Sequence, residues 1–361
     1  MFFRNLISYR RFRFVLLVPL SVALTILSHM FPHLTELWFS QGIYQVLAAT
    51  YGRIFGLLPF SVSQFLIILF PLFSLVYVLW EIWGIFTKCK KRVFRLIANI
   101  SCAVGVLLFM FTMLAGLNYA RLEFGELIGL KIRPSSVKEL VALSETLAAH
   151  VNEISPTVNR NEYGNMVLAV NHFQLSSQAR VAFADVAEEF PILAGFVPHT
   201  KPIIYSGFMS QLRITGIYSP FTMEAHVNVH IPDYHIPAIM LHELAHFRGI
   251  MREDEANFIA WLVGKRSNNP DFKYSAAMMA LTYTLNQLRT ASPADHRRIM
   301  DSLCDGVIND FAYNWRYWQQ FTGPLADLST AANDAYLRAN RQEDGVASYG
   351  RMVDLLLAYF R

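Results

Sequence analysis

The chain has 361 residues, of which 54% are hydrophobic and only 16% are charged, and its formal net charge is +4. Soluble domains are usually about one quarter charged, so part of this chain must lie in lipid. The small net charge, without a long basic tract carrying interleaved aromatic residues, argues against nucleic acid as a partner. Three cysteines, none of them in a CxxC pair, argue against a disulfide framework.

Three apolar stretches have the length of about 20 residues that a bilayer-spanning helix needs. They cover residues 14–31, 62–86 and 96–117. The first follows several arginines, as a signal peptide would, but its apolar core is long and no small-residue cleavage site follows it, which favours an uncleaved anchor. The sequence therefore predicts a membrane domain with three transmembrane helices over residues 1–119.

The distribution of positive charge predicts the orientation of these spans. Four arginines precede the first span, and residues 88–95, between the second and third spans, are rich in lysine and arginine. Between the first and second spans, residues 32–61 contain a single lysine or arginine, Arg53. The positive-inside rule then places the N-terminus in the bacterial cytoplasm and residues 120–361 on the outer side of the cytoplasmic membrane.

The segment at residues 36–60 leaves one alternative open. It is apolar and aromatic but is interrupted by glycines and Pro59, which favours a helix lying in the outer interface of the membrane. A short fourth span is the competing interpretation, and it would invert the sidedness of everything that follows.

From about residue 120 the composition becomes that of a globular domain. "SSVKELVALSETLAAHVNEI" and "RVAFADVAEEFP" predict helices, the first with a serine start and the second ended by Pro191. Three later runs, "PIIYSG", "LRITGIYSP" and "MEAHVNVHIP", have the β-branched residues and turn punctuation of strands. Helices resume at Pro237, so residues 120–361 are predicted to form a mainly helical α+β domain with a small sheet.

The stretch "LHELAHFRGIMREDEANFIAWL", residues 241–262, contains the string His-Glu-x-x-His. On a helix His242 and His246 share one face, where two neutral imidazoles can bind one Zn²⁺. Glu243 then lies near the open coordination position and can take a proton from a water molecule there. The alternative is an amphipathic helix whose two histidines are incidental.

An acidic run just after this string offers a third ligand. Gly249 can end the histidine helix, and a second helix can then begin near Arg252. On that helix Glu253 shares a face with alanines that allow close packing, whereas Glu255 is expected to face solvent or a peptide groove. Glu253 is therefore the favoured third ligand, with Glu255 as the alternative. Asn257, one turn beyond Glu253, is expected to hydrogen-bond a ligand.

The string Glu-x-x-Ala-Asn that begins at Glu253 resembles the glutamate-ligand zinc peptidases, the gluzincins. It is similar to Glu-x-x-Ala-Asp in CAAX-prenyl-protease and HtpX-like membrane peptidases, and to Glu-x-x-Ala-Asn in ImmA/IrrE-like peptidases. In those families the first glutamate is a metal ligand, which implies the same role for Glu253 and a zincin-like domain. The departure is in spacing, because only six residues separate His246 from Glu253.

The resemblance to such peptidases implies two further features. They bind an extended substrate along a strand edge, for which "EAHVNVHI" is the expected strand. They also need a donor that stabilises the transition state opposite the zinc, for which Tyr218, Tyr336 and Tyr349 are candidates. For each tyrosine, packing in the core is the ordinary alternative.

A wider resemblance covers most of the chain. The strings "FSQGIYQ", "LNYAR", "TGIYSPFTMEAHVN" and "NDAYLRANRQEDGVASYGRMVDLL" resemble an uncharacterised bacterial family of multi-spanning membrane proteins, classed only as a domain of unknown function. This resemblance implies that the spans and the globular domain belong together, and it names no substrate.

The leading hypothesis is a membrane-anchored zinc metallopeptidase that acts on a peptide or protein substrate, including a membrane-associated one. The alternative is a non-catalytic zinc-binding membrane sensor or a scaffold protein. A sensor would tolerate the loss of Glu243, whereas a peptidase would not. A transport role would favour ionisable groups deep within the spans, and Glu81, near one end of a span, is essentially the only such group.

Overall fold

The computed structural model describes residues 9–86, 91–342 and 344–361 of the chain. The first of the N-terminal arginines and the beginning of the lysine-rich loop at 88–95 lie outside the described residues. The chain divides into two compact units. The first contains the described residues up to Arg121 together with Ser219–Met223, and the second contains Leu122–Tyr218 and the described part of Glu224–Arg361.

Long apolar helices dominate the first unit. They are α1 (Leu17–Met30, preceded by the 3-10 turn Arg10–Leu16), α2 (Val62–Phe86) and α3 (Lys91–Leu114). Three helical stretches within them are long and apolar enough to cross a membrane, namely Arg10–Met30, Val62–Gly84 and Arg92–Leu114. The prediction of three candidate transmembrane helices is therefore confirmed by length and composition.

A helical segment at residues 32–56 connects α1 to α2, and we call it the mixed helix because α and π geometry alternate along it. Its two π-helical parts are Thr35–Ile43 and Ala48–Gly52. Near its start, the Glu36 carboxylate accepts two hydrogen bonds from the Arg121 guanidinium, at 2.6 and 2.9 Å, and both side chains are buried. Because a buried charge without its partner is costly, this bidentate pair ties the mixed helix to the chain that follows α3.

Helices also make up most of the second unit, which holds a small sheet. In chain order the helices are α4 (Phe124–Leu127), α5 (Val137–Ile154), α6 (His172–Glu189), α7 (Ser206–Gln211), α8 (Ile236–Phe247), α9 (Glu253–Arg266), α10 (Pro270–Ala291), α11 (Pro293–Met300), α12 (Asp305–Gln319), α13 (Pro324–Ala339) and α14 (Met352–Tyr359). A 3-10 turn, Gly345–Arg351, precedes α14. The predicted serine start of α5 is present, since Ser136 and Glu139 form a reciprocal capping box.

The sheet has three short strands, β1 (Lys201–Pro202), β2 (Gly216–Ser219) and β3 (Glu224–Val227), in the order β1-β3-β2. β1 and β3 are parallel, with Lys201 opposite His226. β2 and β3 each fall within a predicted run but are shorter than it, whereas β1 shares only Pro202 with the run "PIIYSG", whose last two residues begin α7 instead. The mainly helical α+β class with a small sheet is thus confirmed.

One detail of the sheet prediction is wrong. The run "EAHVNVHI" was expected to supply an exposed edge, but its ordered part, β3, is the central strand and all four of its residues are buried. β2 lies at an edge instead, with exposed Ile217 in its sequence. A central strand has neighbours on both sides, so only β1 and β2 leave backbone groups open to an added strand.

The core of the second unit lies around α8, α9 and α10. Apart from Ile239, every residue of α8 is buried, and most of α9 and the first half of α10 are buried as well. A helix that is apolar on all sides is stable only when other elements enclose it. The consequence is that the two histidines of α8 are held in a rigid, largely dry environment.

We expect the second unit to lie on the outer side of the membrane, because the positive charges flank the ends of the spans that should remain inside. A reporter that is active only after export should be active when fused after Arg361 and inactive when fused at Lys90. The opposite pattern would mean that the mixed helix crosses the bilayer as a fourth span. An independent measurement is the labelling of a cysteine in the second unit, such as Cys304, by a membrane-impermeant reagent, compared between intact and permeabilised cells.

Candidate metal centre

The two histidines of α8 lie on one face of the helix, as their spacing predicts. Their ring centroids are 4.6 Å apart and the rings are nearly perpendicular. Only 6% of the surface of His242 and 8% of that of His246 is exposed. Two imidazoles so placed present neighbouring nitrogen atoms to one point in space, as a shared metal ion requires.

A tight turn after α8 brings an acid to these nitrogens. Gly249 has φ of +82°, a conformation that glycine adopts without steric cost, and α9 begins four residues later at Glu253. The Glu253 Oε2 atom lies 3.1 Å from His242 Nε2 and 3.6 Å from His246 Nε2. Three ligands bound to one tetrahedral zinc at about 2.0–2.1 Å are separated by about 3.3 Å, so these distances fit that ion.

Hydrogen bonds fix which nitrogen of each imidazole faces the cluster. His246 Nδ1 donates to the Ile250 carbonyl at 2.7 Å, because a carbonyl can only accept. His242 Nδ1 lies 2.8 Å from Asn257 Oδ1, while the Asn257 amide nitrogen faces the Tyr349 carbonyl at 3.5 Å. In both histidines Nδ1 is therefore occupied by a hydrogen bond and Nε2 is the nitrogen that faces Glu253, the arrangement that such hydrogen-bond partners give to metal-binding histidines.

The charges of the three groups are strongly coupled. Burial raises the pKa of Glu253, but the two imidazoles outweigh burial and hold that pKa well below its usual range. Burial lowers the pKa of His246, and the Glu253 carboxylate outweighs it in turn and raises this pKa to about 9. Glu253 Oε2 is buried and accepts no well-aligned hydrogen bond from the described residues. A buried carboxylate oxygen facing two imidazole nitrogens in this way is a set of donor atoms that could hold a metal cation.

Glu243 has a different environment, although it is next to a histidine in sequence. Its side chain is buried, and within the described part of the chain its Oε2 has no hydrogen-bond partner. Burial raises the pKa of Glu243 to about 7, which the two histidines only partly offset. A carboxyl group with such a pKa can take up and release a proton near neutral pH.

The edge strand β2 borders the site. A Cβ atom added at Gly216 would lie 2.3 Å from Glu243 Oε1 and 2.7 Å from a methyl group of Ile239, so only glycine fits at this position. Two residues on, the ring centroid of Tyr218 lies 6.3 Å from that of His246. One short strand thus touches both the candidate base and a candidate ligand.

The three candidate tyrosines occupy different places. Tyr218 is on β2 beside His246, as described above. Tyr349 is in the 3-10 turn Gly345–Arg351, where burial, and then the nearby Glu253 carboxylate, raise the pKa of its hydroxyl. Tyr336 is on α13, with 42% of its surface exposed, and takes no part in the contacts that define the cluster.

The expected orientation of Glu255 is wrong. Its side chain is buried, not turned to solvent, and its Oε1 atom accepts a hydrogen bond from the Phe124 amide at 2.7 Å and one from Arg252 at 3.1 Å. The structure brings Glu253, not Glu255, to the two histidines. The helical repeat separates the two faces of α9 correctly, but it cannot reveal that the segment after α3 packs against the second face.

Sequence reasoning missed several participants. Gly216, the Ile250 carbonyl and Tyr283, which is hydrogen-bonded to Asn257, were not singled out. A glycine inside a predicted strand is a recognisable sign of close backbone approach, so Gly216 could have been found. Tyr283 lies on α10, and no local pattern connects it to the histidine string.

The comparisons with known proteins address the family of this chain. A family model described as "Protein of unknown function (DUF3810)" matches residues 39–357. The chain belongs to this family. The predicted membership of an uncharacterised family is thereby confirmed, and the match runs from the mixed helix to α14. No curated protein and no solved structure matches the chain.

We expect the purified full-length protein to hold about one zinc ion per chain. His242→Ala, His246→Ala and Glu253→Ala should each lose most of this metal, because each removes one of three ligands that face the same point. Elemental analysis of detergent-purified protein after dialysis against a weak chelator measures the loss.

Glu255→Gln is the matched control for Glu253→Ala. It removes a charge from the same helical turn but retains a carbonyl oxygen that can accept from the Phe124 amide, so zinc should stay bound. Loss of zinc from Glu255→Gln with retention in Glu253→Ala would contradict the ligand assignment.

Proposed function

We propose that this chain is a membrane-anchored zinc-dependent peptidase whose metal ligands are His242, His246 and Glu253. The observation that carries the proposal is the convergence of these three buried groups, with the separate buried carboxylate of Glu243 next to them. Two histidines and one glutamate leave a fourth zinc position open, which is the pattern of catalytic sites, since structural zinc sites are closed by four protein ligands.

Zinc bound there would supply Lewis acidity toward a substrate carbonyl oxygen and toward a water molecule. The proton transfer and the orientation of the ligands depend on residues of the chain. Glu243, which follows a ligand directly, takes a proton from the attacking water and passes it to the departing amine nitrogen. Asn257 and the Ile250 carbonyl hold the two imidazoles in the tautomer that binds metal.

The edge strand β2 supports a peptide as the substrate. Its outer backbone groups can pair with an extended chain, and Gly216 and Tyr218 bring that edge beside Glu243 and His246. A peptide that adds to β2 would have its backbone presented to the metal centre. Tyr218 and Tyr349 are the two candidates for donating a hydrogen bond to the oxygen that gains negative charge in the transition state.

The three candidate spans support a substrate that is a membrane-associated protein or peptide. With the N-terminus in the cytoplasm, as the positive charges predict, the active site would act on the outer side of the bacterial cytoplasmic membrane.

We expect Glu243→Gln to retain zinc and fold while losing turnover by a factor on the order of 10² to 10⁴, because the amide keeps the shape of the side chain but cannot accept the proton. Activity is measured as the peptides newly cut, by mass spectrometry, when detergent-purified protein is added to a proteome-derived peptide mixture. The zinc content of both proteins is measured in parallel.

A different outcome would favour the sensor. If wild type and Glu243→Gln hold equal zinc, cut nothing in the mixture and give the same membrane-protein fragments in cells, the peptidase proposal fails. The chain would then be a zinc-stabilised sensor or scaffold.

We expect Gly216→Ala to lower turnover by about a hundredfold, since the new methyl group would displace the Glu243 carboxylate and misplacement of a catalytic group by about 1 Å costs this much. Zinc content should not change, because no ligand is touched. Gly207→Ala is the matched control. Its added methyl group would have no heavy atom nearer than 4.0 Å, and its activity should equal that of wild type. Equal activities of the two variants would show that the close approach of β2 has no role.

A further inference from the structure

A cleft of about 520 Å³ opens between α10 and the 3-10 turn Gly345–Arg351. Tyr283 and Gln287 contribute to the wall from α10, and Ala347 and Tyr349 contribute from the turn. Ligand sites usually measure roughly 300–1,000 Å³, so the cleft has room for more than a single small side chain. Gln287 Nε2 donates to the Gly350 carbonyl at 2.9 Å, and this hydrogen bond holds the two walls at a fixed separation.

The inner end of the cleft is connected to the metal centre by hydrogen bonds. Tyr283 is hydrogen-bonded to the side chain of Asn257, whose Oδ1 accepts from His242 Nδ1 at 2.8 Å. The Asn257 amide nitrogen faces the carbonyl of Tyr349, the second tyrosine of the cleft wall. The cleft therefore begins one side chain, that of Asn257, away from His242.

The lining of the cleft is uncharged. Its described residues combine tyrosine rings with Val346 and Ala347, and its polar groups are the side chains of Asn286, Gln287 and Thr290. An ammonium or carboxylate group that entered would find no partner of opposite charge among these lining residues. An apolar or aromatic side chain would gain contact with the rings and methyl groups, while the amides could hydrogen-bond its backbone.

We propose that this cleft binds an uncharged apolar or aromatic side chain of the substrate, next to the bond that is cleaved, and that it determines specificity. The inference rests on the proposed peptidase function, to which it adds the class of residue selected. It assigns to α10 and the 345–351 turn a role separate from holding the metal.

The test uses the zinc-loaded full-length protein in detergent and a dipeptide hydroxamate that carries a benzophenone side chain. The hydroxamate binds zinc, and light then joins the benzophenone to whatever surrounds it, which peptide mass spectrometry identifies. We expect crosslinks in α10 and in the 345–351 turn. Excess leucine hydroxamate should suppress them, whereas glutamate and lysine hydroxamates should be weaker competitors by about tenfold or more, as expected for a misfitting side chain.

Ala347→Phe narrows the cleft and should reduce the crosslinks by about tenfold with zinc content unchanged. Ala331→Phe, at an exposed position of α13, is the matched control and should crosslink as wild type does. Crosslinks that are absent from α10 and the turn, equal competition by charged hydroxamates, or an unaffected Ala347→Phe would each overturn the inference. A wild-type protein that crosslinks in the cleft but cuts no peptide would overturn the peptidase proposal and, with it, the specificity role. A protein that cuts peptides but crosslinks elsewhere would overturn the assignment of the cleft alone.

Discussion

The second unit depends on one contact, the meeting of the Glu253 carboxylate with two imidazoles in a place where all three side chains are at most one tenth exposed. Burying an unpaired carboxylate is prohibitively costly, so such a group must be neutralised, paired or bound to a metal. Several features of the chain serve this requirement. The left-handed Gly249 aims α9 at α8, and the Ile250 carbonyl orients His246, while Asn257 orients His242. Loss of the Ile250 or the Asn257 contact would leave a buried imidazole nitrogen without its hydrogen-bond partner.

The same burial gives two carboxylates opposite properties. Glu253 faces both imidazoles, which hold its pKa well below the usual range, whereas burial raises the pKa of Glu243 to about 7. Two carboxylates whose environments separate their pKa values in this way are suited to different tasks. The surroundings keep Glu253 ionised, whereas Glu243 can exchange a proton near neutral pH. This difference follows from position alone, and it fits the separate roles proposed for the two carboxylates.

The features that could be predicted from the sequence are those that depend on residues close to one another along the chain. The shared face of His242 and His246, the turn at Gly249 and the serine cap of α5 follow from helical geometry and backbone preference. The predictions that were wrong concern residues whose partners are distant in sequence. Glu255 was expected to face solvent or a peptide groove, because the sequence reveals its helical face but not its partner, the Phe124 amide. The central position of β3 likewise follows from pairing with β1 and β2, which alternation within one strand cannot reveal.

The candidate ligands and the cleft lie on different elements of the second unit. The candidate ligands stand on α8 and α9, two buried helices that cannot shift without opening the core. The cleft is formed by the partly exposed end of α10 and a 3-10 turn, and Asn257 connects it to His242. A substitution at exposed Ala347 changes the shape of the cleft without moving a ligand. The proposed metal centre and the proposed specificity cleft therefore reside on elements of unequal rigidity, so a substitution in the cleft need not alter the metal centre.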